Sequence, residues 1–484
     1  MSGKRLWWRD CLIILICASI FSLFIMLWSF SIPNSAPVTN DQVTKDQVTT
    51  GQVTKDQMTT GQVTKDQVTK DQVTMDQVTK NQVTKDQVTM DQMTKGQVTN
   101  KEKLSKTPEA VFAERRQRIQ DICMNDPDAK KGGLRGIYTH KPSGVIYCYV
   151  PKAGCTFWKR IFYGVNQGKD TMWKVFSRFS RMEVHIMAQY GVPYIEEKHG
   201  VKNYPIRFTV ARDPFSRLLS SYLDKFYLPD FWTQADKRKT IIPVKNTGKI
   251  DFMRSHFDSL AVQYDKNFTA NSTSKVKKCW KYITFAQFVQ DSLVNKETHW
   301  DPISTLCNPC KFNVTNLSYM ETFPQDAAAI LDRLGLHGYM DNKDRDYQVI
   351  DEFELLTEYN FAKLREDKRV YQCTSAVELA YRLWNNFKWR GYIDPKVDYV
   401  APISTDATHI EKNLLQQLVK ARNSGIKNRA ELKAFATEFR KQIYLTLPKN
   451  VFQELLKKYA LDIKLYGYES KRDKMISLMN NVEG

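Results

Sequence analysis

The stretch Val150-Pro-Lys-Ala-Gly-Cys-Thr-Phe-Trp-Lys-Arg160 lies between two contrasting patterns. Before it runs Gly144-Val-Ile-Tyr-Cys-Tyr-Val150, a short apolar run that predicts a buried strand. After it, Phe157, Ile161, Phe162 and Val165 recur at helical spacing. A strand, a tight loop carrying Lys152 and Gly154, and a helix start with Thr156 as its cap together predict an anion cradle. Loop and first-turn N–H groups would face the anion, and the helix dipole would favour negative charge there. Further along, the plan repeats. Pro205-Ile-Arg-Phe-Thr-Val210 reads as a second strand, Asp213 as an N-cap and Pro214 as the first helical residue. Phe215, Leu218, Leu219, Tyr222 and Phe226 mark that helix's buried face. Two strand–helix units, each with a basic residue at the junction, predict one ligand phosphorylated at both ends.

These residues carry a resemblance to a known family. Pro151, Lys152, Cys155, Trp158, Lys159 and Arg160 match the Pro-Lys-x-x-Cys-x-x-Trp-Lys-Arg loop of Golgi carbohydrate sulfotransferases, in the branch of the chondroitin and dermatan 4-O-sulfotransferases. Arg212, Pro214, Phe215, Arg217, Leu218, Ser220, Tyr222, Lys225 and Phe226 match that branch's second element. A third block comprises Phe285, Phe288, His299-Trp300, Leu306-Cys-x-Pro-Cys310 and Glu321-Thr322; a fourth is Tyr459-x-Leu-Asp-x-x-x-Tyr-Gly-Tyr468. The four fall in the family's order, from about Arg115 to Tyr468. One block alone would say little.

The resemblance implies an α/β fold, a P-loop-like sulfotransferase domain whose central, mostly parallel sheet is flanked by helices. It also implies 3′-phosphoadenosine 5′-phosphosulfate as co-substrate, bound across the carboxyl ends of the strands. Donor contacts are then expected from Pro151, Lys152, Ala153, Gly154, Cys155, Thr156, Trp158, Lys159 and Arg160 on the loop and helix, and from Arg212 and Ser220 at the 3′-phosphate. Lys152 is the expected catalytic contact for the leaving bridging oxygen, since fixed positive charge lowers the barrier where charge develops. Arg supplies a bidentate fork to phosphate and Ser a hydroxyl donor. For Lys159 and Arg160, phosphate contact and a solvent-facing position both stay open; for Trp158, stacking on adenine or sugar stands beside core packing. Arg217 is a secondary candidate or a structural pair. A base must take the acceptor's proton, and His185, between the two elements, is the first candidate, with His299 second. No metal is expected, because sulfuryl groups carry less charge than phosphoryl groups and Lys and Arg can neutralise it.

Composition sets the surroundings. Cys11 to Phe30 is uncharged, long enough as a helix to span the roughly 30 Å apolar core of a bilayer. Lys4, Arg5 and Arg9 precede it and no Lys or Arg follows until Lys45, which predicts a type II anchor over residues 11–32 behind a cytosolic tail, 1–10. The run exceeds the apolar length of a cleaved signal peptide. Everything beyond is expected in the Golgi lumen. Sequons at Asn267, Asn271, Asn313 and Asn316 fit that topology. Seven cysteines follow the anchor, an odd number, and Cys155 is expected to be the free thiol. Cys307-x-x-Cys310 reads as structural disulfide cysteines, because no second pair at metal spacing and no thioredoxin pattern accompanies it.

Asp41 to Asn100 is a five-residue repeat, consensus Asp-Gln-Val-Thr-Lys, whose period matches neither helix nor strand. With one consensus apolar residue per unit and no aromatics it predicts a disordered, Thr-rich stem over 33–110. The repeat contains eight Asp and seven Lys, so the chain's net charge of +19 resides mainly in the expected globular domain, 111–470. Such a charge suits a glycan acceptor that is polyanionic or contains N-acetylgalactosamine; the topology argues against nucleic acid. A lead-in helix is expected to about Ile122, a loop-rich excursion over 236–278, helical spacing from Phe285 to Leu336, a helix-rich elaboration over 359–434, a closing helix ending near Gly467, and a tail, 471–484. Two other readings are a nucleotide-dependent phosphoryl transferase, which lacks a Gly-x-x-x-x-Gly-Lys-Ser/Thr loop here, and a non-enzymatic mucin-like protein whose function is the repeat.

Overall fold

The computed structural model describes residues 107–166, 181, 184–185, 201–233, 281–337, 345–425 and 428–481. The expected anchor and loop-rich excursion lie outside the described residues, as does the expected stem up to residue 106; the last residues assigned to it, 108–110, are helical. No described helix is long and apolar enough to cross a membrane. The chain divides into a unit over 1–102 and a unit over 103–484, and the described residues belong to the second.

That unit begins with helix α1, Pro108–Asn125, capped by the Thr107 side chain, which accepts from the Ala110 N–H. Strands β1, Ile137–His140, and β2, Val145–Cys148, form an antiparallel pair, and helix α2, Cys155–Asn166, follows. Strand β3, Ile206–Ala211, leads into helix α3, Pro214–Tyr222, which continues as a π turn through Tyr227. Helix α4, Phe285–Val294, and the short α5, Ile303–Leu306, and α6, Pro309–Phe312, precede strand β4, Asn316–Tyr319. Eight further helices close the chain. They are α7, Phe323–Arg333; α8, Arg345–Glu366; α9, Lys368–Cys373; α10, Ala376–Trp389; α11, Ala407–Gly425; α12, Arg429–Leu445; α13, Lys449–Tyr466; and α14, Glu469–Asn480.

The sheet order is β1-β2-β3-β4, with β2–β3 and β3–β4 parallel. It is small, mixed and flanked by helices, as expected of an α/β domain. Helix α1 lies against β4 and α2 against β1. Both strand–helix units form where the sequence predicts them, and Asp213 caps α3 by accepting from the Phe215 N–H, with Pro214 next. Closing helix α13 ends at Gly467 with φ +71°, a left-handed cap that glycine adopts without steric cost. Three expectations need correction. The region from Phe285 to Leu336 is not helical throughout, because Asn316–Tyr319 pairs with β3 as the fourth strand. Thr156 is not the cap of α2: the helix starts at Cys155, and the Thr156 hydroxyl lies 3.2 Å from His185 Nε2. The segment expected as a tail is helical through Asn480.

The core centres on the sheet. Tyr147 stacks on Phe208 with ring centroids 4.6 Å apart, and Trp158 meets Phe208 edge-on. Phe162, Val210 and Leu317 are fully buried alongside. On burial alone each such side chain contributes about 1.5–3 kcal/mol. Helix α10 packs on α8 and α11, and Trp389 stacks on Phe439 of α12. Disulfides Cys148–Cys307 and Cys123–Cys310 pin β2 and α1 to the α5–α6 segment; Cys373 is also disulfide-bonded, and Cys155 is free and buried. The two cysteines of the Cys-x-x-Cys pair therefore bond to different partners, not to each other.

A candidate anion site between two strand–helix units

The loop between β2 and α2 holds its shape through two left-handed residues, Lys152 at φ +65° and Gly154 at φ +69°. A Cβ on Gly154 would come within 2.7 Å of Phe323 Cε2, so only glycine passes that turn without displacing the ring. Lysine at positive φ is uncommon and is held there by its surroundings. Arg217 of α3 supplies much of that hold. It is 1% exposed, and its Nε donates to the Pro151 carbonyl at 2.9 Å, while Nη1 and Nη2 donate to Asp301 and Thr298 carbonyls at 2.6 and 2.8 Å. One side chain thus ties the loop to the segment carrying His299. Arg217 is this clamp.

Arg212, at the end of β3, donates through Nη1 to the Lys152 carbonyl at 2.6 Å and joins the two units. Burial lowers its pKa to about 10, and its other guanidinium N–H groups make no hydrogen bond among the described residues. Ser220, eight positions on, is buried, and its Oγ has no hydrogen-bond partner among the described residues. A buried hydroxyl without a partner is costly unless a ligand satisfies it. Free guanidinium donors and an orphaned hydroxyl fit a phosphate.

The Lys152 side chain turns inward. Its Nζ lies 2.8 Å from Asp224 Oδ2, and burial pushes its pKa down to about 8, opposed by Asp224. Asp224 sits on the π turn after α3 and receives Arg181 in a two-pronged bond, at 3.0 and 2.7 Å. Burial would raise its carboxyl, yet Arg181, Lys152 and Lys225 hold it well below the usual carboxylate range. Lys225 bonds Asp230, which also takes Lys363 at 2.7 Å and the Tyr359 hydroxyl at 2.6 Å. Arg390 pairs with Glu352 at 2.9 Å and acts on Lys152 and Arg212 through its field. Arg440 reaches Ser216 at 2.9 Å and lies 3.7 Å from Asp213. Lys152, Arg181, Arg212, Lys225, Lys363, Arg390 and Arg440 thus face Asp213, Asp224, Asp230 and Glu352, an excess of positive charge. Such an excess, in a place shielded from water, attracts an anion.

Two histidines reach the same place. His185 lies with Nε2 at Thr156 and Nδ1 3.2 Å from Lys159 Nζ; burial and then the Lys159 charge push it well below its ordinary value. His299 Nδ1 is 2.8 Å from Glu297 Oε1, and burial brings its pKa to about 4, with Lys225 adding to the drop. The two are near enough to influence each other. Both are neutral at pH 7.

The other sequence-predicted residues divide. Pro151 and Ala153 are buried in the loop, Cys155 begins α2, and Trp158 is fully buried among Tyr147, Phe208 and Phe323. Lys159 faces neither solvent nor open space: it is 2% exposed, its ammonium 4.1 Å from the Tyr149 ring centroid. Arg160 donates to both oxygens of Asp351, at 3.1 and 3.0 Å, tying α2 to α8. Sequence reading passed over Asp224, Arg181, Asp230 and the Glu352–Arg390 pair. Asp224 left one trace: a carboxylate directly after the apolar face of α3, where solvent is absent.

The profile described as the sulfotransferase family matches residues 135–386, which span both strand–helix units, the Arg217-held segment, helices α8 and α9 and most of α10. Carbohydrate sulfotransferase 11 of Mus musculus is 27% identical over 246 residues, 47% of this chain and 62% of the relative. Carbohydrate sulfotransferase 12 of Mus musculus is 26% identical over 264 residues, 45% of this chain and 55% of the relative. Carbohydrate sulfotransferase 9 of Homo sapiens is 25% identical over 254 residues, 49% and 50%. The chain thus spans between half and two thirds of the curated relatives it matches. No solved structure matches it. With a family profile covering more than half its length, the chain belongs to the sulfotransferase family.

Proposed function

We propose that this chain transfers a sulfuryl group from 3′-phosphoadenosine 5′-phosphosulfate to a hydroxyl of a glycan. The observation that carries the reading is the pairing of Arg212, with unengaged guanidinium N–H groups, and the buried unpartnered hydroxyl of Ser220, beside a loop lysine. A 3′-phosphate would satisfy the first two. The donor supplies an activated sulfuryl group: the sulfur–oxygen bond to its 5′-phosphate breaks as one to the acceptor oxygen forms, leaving the 3′,5′-bisphosphate. Lys152 then neutralises charge on the departing bridging oxygen, and the N–H groups of Cys155, Thr156 and Phe157 at the start of α2 face the 5′ end. The acceptor's proton goes to His185. A second reading, His299, has one observation in its favour. Its Nδ1 is engaged by Glu297, so in the neutral ring Nε2 carries the lone pair, and no described residue bonds it, whereas His185 must first release Lys159.

The acceptor in this reading is a glycosaminoglycan or glycoprotein glycan, polyanionic or containing N-acetylgalactosamine, in keeping with relatives whose names specify carbohydrate. No divalent cation is required. The chain works as a type II protein of the Golgi membrane, with residues 11–32 as anchor, 33–110 as stem and 111–470 as the lumenal transferase. Labelled donor offered with chondroitin, dermatan and N-glycan acceptors tests the proposal; label on none of them, from protein that binds 3′-phosphoadenosine 5′-phosphate, would refute it.

A further inference from the structure

The proposed chemistry needs a charged lysine in a place that disfavours charge. Burial is the largest influence on Lys152, and among its nearest charged neighbours Asp224 is the carboxylate that opposes it. Asp224 is itself 5% exposed and would be unstable as an anion alone. Arg181 resolves this with a two-oxygen fork, and Lys225 stands 3.5 Å away. The order of contacts is therefore Arg181 to Asp224 to Lys152 Nζ. The Lys152 backbone is fixed separately, through its carbonyl, by Arg212.

We propose that Asp224, clamped by Arg181, is a positioning residue that holds the Lys152 ammonium charged and aimed within the donor cradle. The proposal rests on the sulfuryl-transfer reading for its catalytic consequence, but the state of Lys152 in the unliganded protein can be measured without it. The charged and titratable groups facing Lys152 are Asp224 and Lys225 on the π turn, Arg181, Glu352 on α8, Arg390 after α10, and His299 ahead of α5. Arg181, Arg390 and Lys225 all push Lys152 toward the neutral amine, and only carboxylates oppose them. Removing the Asp224 charge should therefore free the amine at lower pH. Removing the Arg181 charge should do the reverse.

The test is the rate at which Lys152 is acylated by acetic anhydride in the full-length, unliganded protein, read by peptide mass spectrometry across pH 6–9. Asp224→Asn should raise that rate at pH 7 by about fivefold, the effect of lowering a pKa of about 8 by one unit. Arg181→Met should lower it. Asp224→Glu should return it toward wild type. In turnover, Asp224→Asn should lose about 10–100-fold in kcat, with the alkaline limb moved to lower pH and affinity for 3′-phosphoadenosine 5′-phosphate no weaker. Should Asp224→Asn not fold, the opposite shift in Arg181→Met carries the test. Unchanged Lys152 reactivity in folded Asp224→Asn, or in Arg181→Met, overturns the proposal. A protein that shows these reactivity shifts but transfers no sulfuryl group would keep the Asp224 assignment and refute the transfer reading instead.

Discussion

Replacing Arg217 by Met would remove three bonds while nearly preserving volume. The guanidinium donates to the carbonyls of Pro151, Thr298 and Asp301, and at 1% exposure no water can substitute. Bonds from a charged donor contribute about 1.5–3 kcal/mol each. Three from one side chain do not add fully, and desolvating the guanidinium already costs free energy in the native protein. Breaking such a buried charged contact typically costs about 3–5 kcal/mol, which we take as the net loss. At about 2–4 °C per kcal/mol for larger domains, the unfolding midpoint should fall by roughly 6–20 °C. The consequence is not only thermal. Pro151 precedes Lys152, and Thr298 precedes His299, so the cradle and one of the two histidines lose their common brace. Affinity for 3′-phosphoadenosine 5′-phosphate should drop about tenfold or more, roughly one lost charged bond. Differential scanning fluorimetry and calorimetry on the full-length protein measure both. A midpoint within about 2 °C of wild type, with unchanged nucleotide affinity, would refute the clamp.

Three further outcomes follow from the same geometry. Arg212→Ala should weaken binding of 3′-phosphoadenosine 5′-phosphate by roughly 2–3 kcal/mol by calorimetry, the scale of a lost charged hydrogen bond, and unchanged affinity would remove it from the 3′-phosphate site. His185→Ala should lower kcat by roughly 10²–10⁴-fold with little change in donor affinity; near-normal turnover there, with the loss appearing in His299→Ala, would move the base to His299. The pH dependence of stability carries a definite sign. His299 is neutral in the fold down to about pH 4, whereas in the unfolded chain it takes a proton near pH 6.5, so stability falls as pH drops through that window. His299→Gln should remove on the order of 3 kcal/mol of that slope in denaturant titrations at pH 7 and pH 4.5, and an unchanged slope would contradict the buried neutral imidazole.

What the sequence made legible was local. The two strand–helix junctions, the Asp213 cap with Pro214, and the left-handed Gly467 are each set by a few neighbouring residues, and all three form as read. The odd cysteine count called for a free thiol, its place in the loop singled out Cys155, and Cys155 is free among the described residues. What stayed hidden depends on contacts far apart in the chain. β4 is four residues long and polar at its start, so its strand character comes from pairing with β3. Arg160 meets Asp351 across 191 positions, and Arg181 meets Asp224 across 43. Periodicity cannot report such pairs. Thr156 was misread because a hydroxyl at a helix start caps one position before the first turn, and here the loop closes at Gly154, leaving Thr156 inside the helix.

The central claim is that Lys152 and Arg212 serve the two ends of one donor. Its most direct measurement compares wild type and Lys152→Ala, full length, for transfer of labelled sulfuryl from 3′-phosphoadenosine 5′-phosphosulfate to chondroitin, alongside calorimetry with 3′-phosphoadenosine 5′-phosphate. The account predicts transfer by wild type and a loss of about 10²–10³-fold or more in Lys152→Ala, with nucleotide affinity largely kept. Transfer by Lys152→Ala at near the wild-type rate would contradict it.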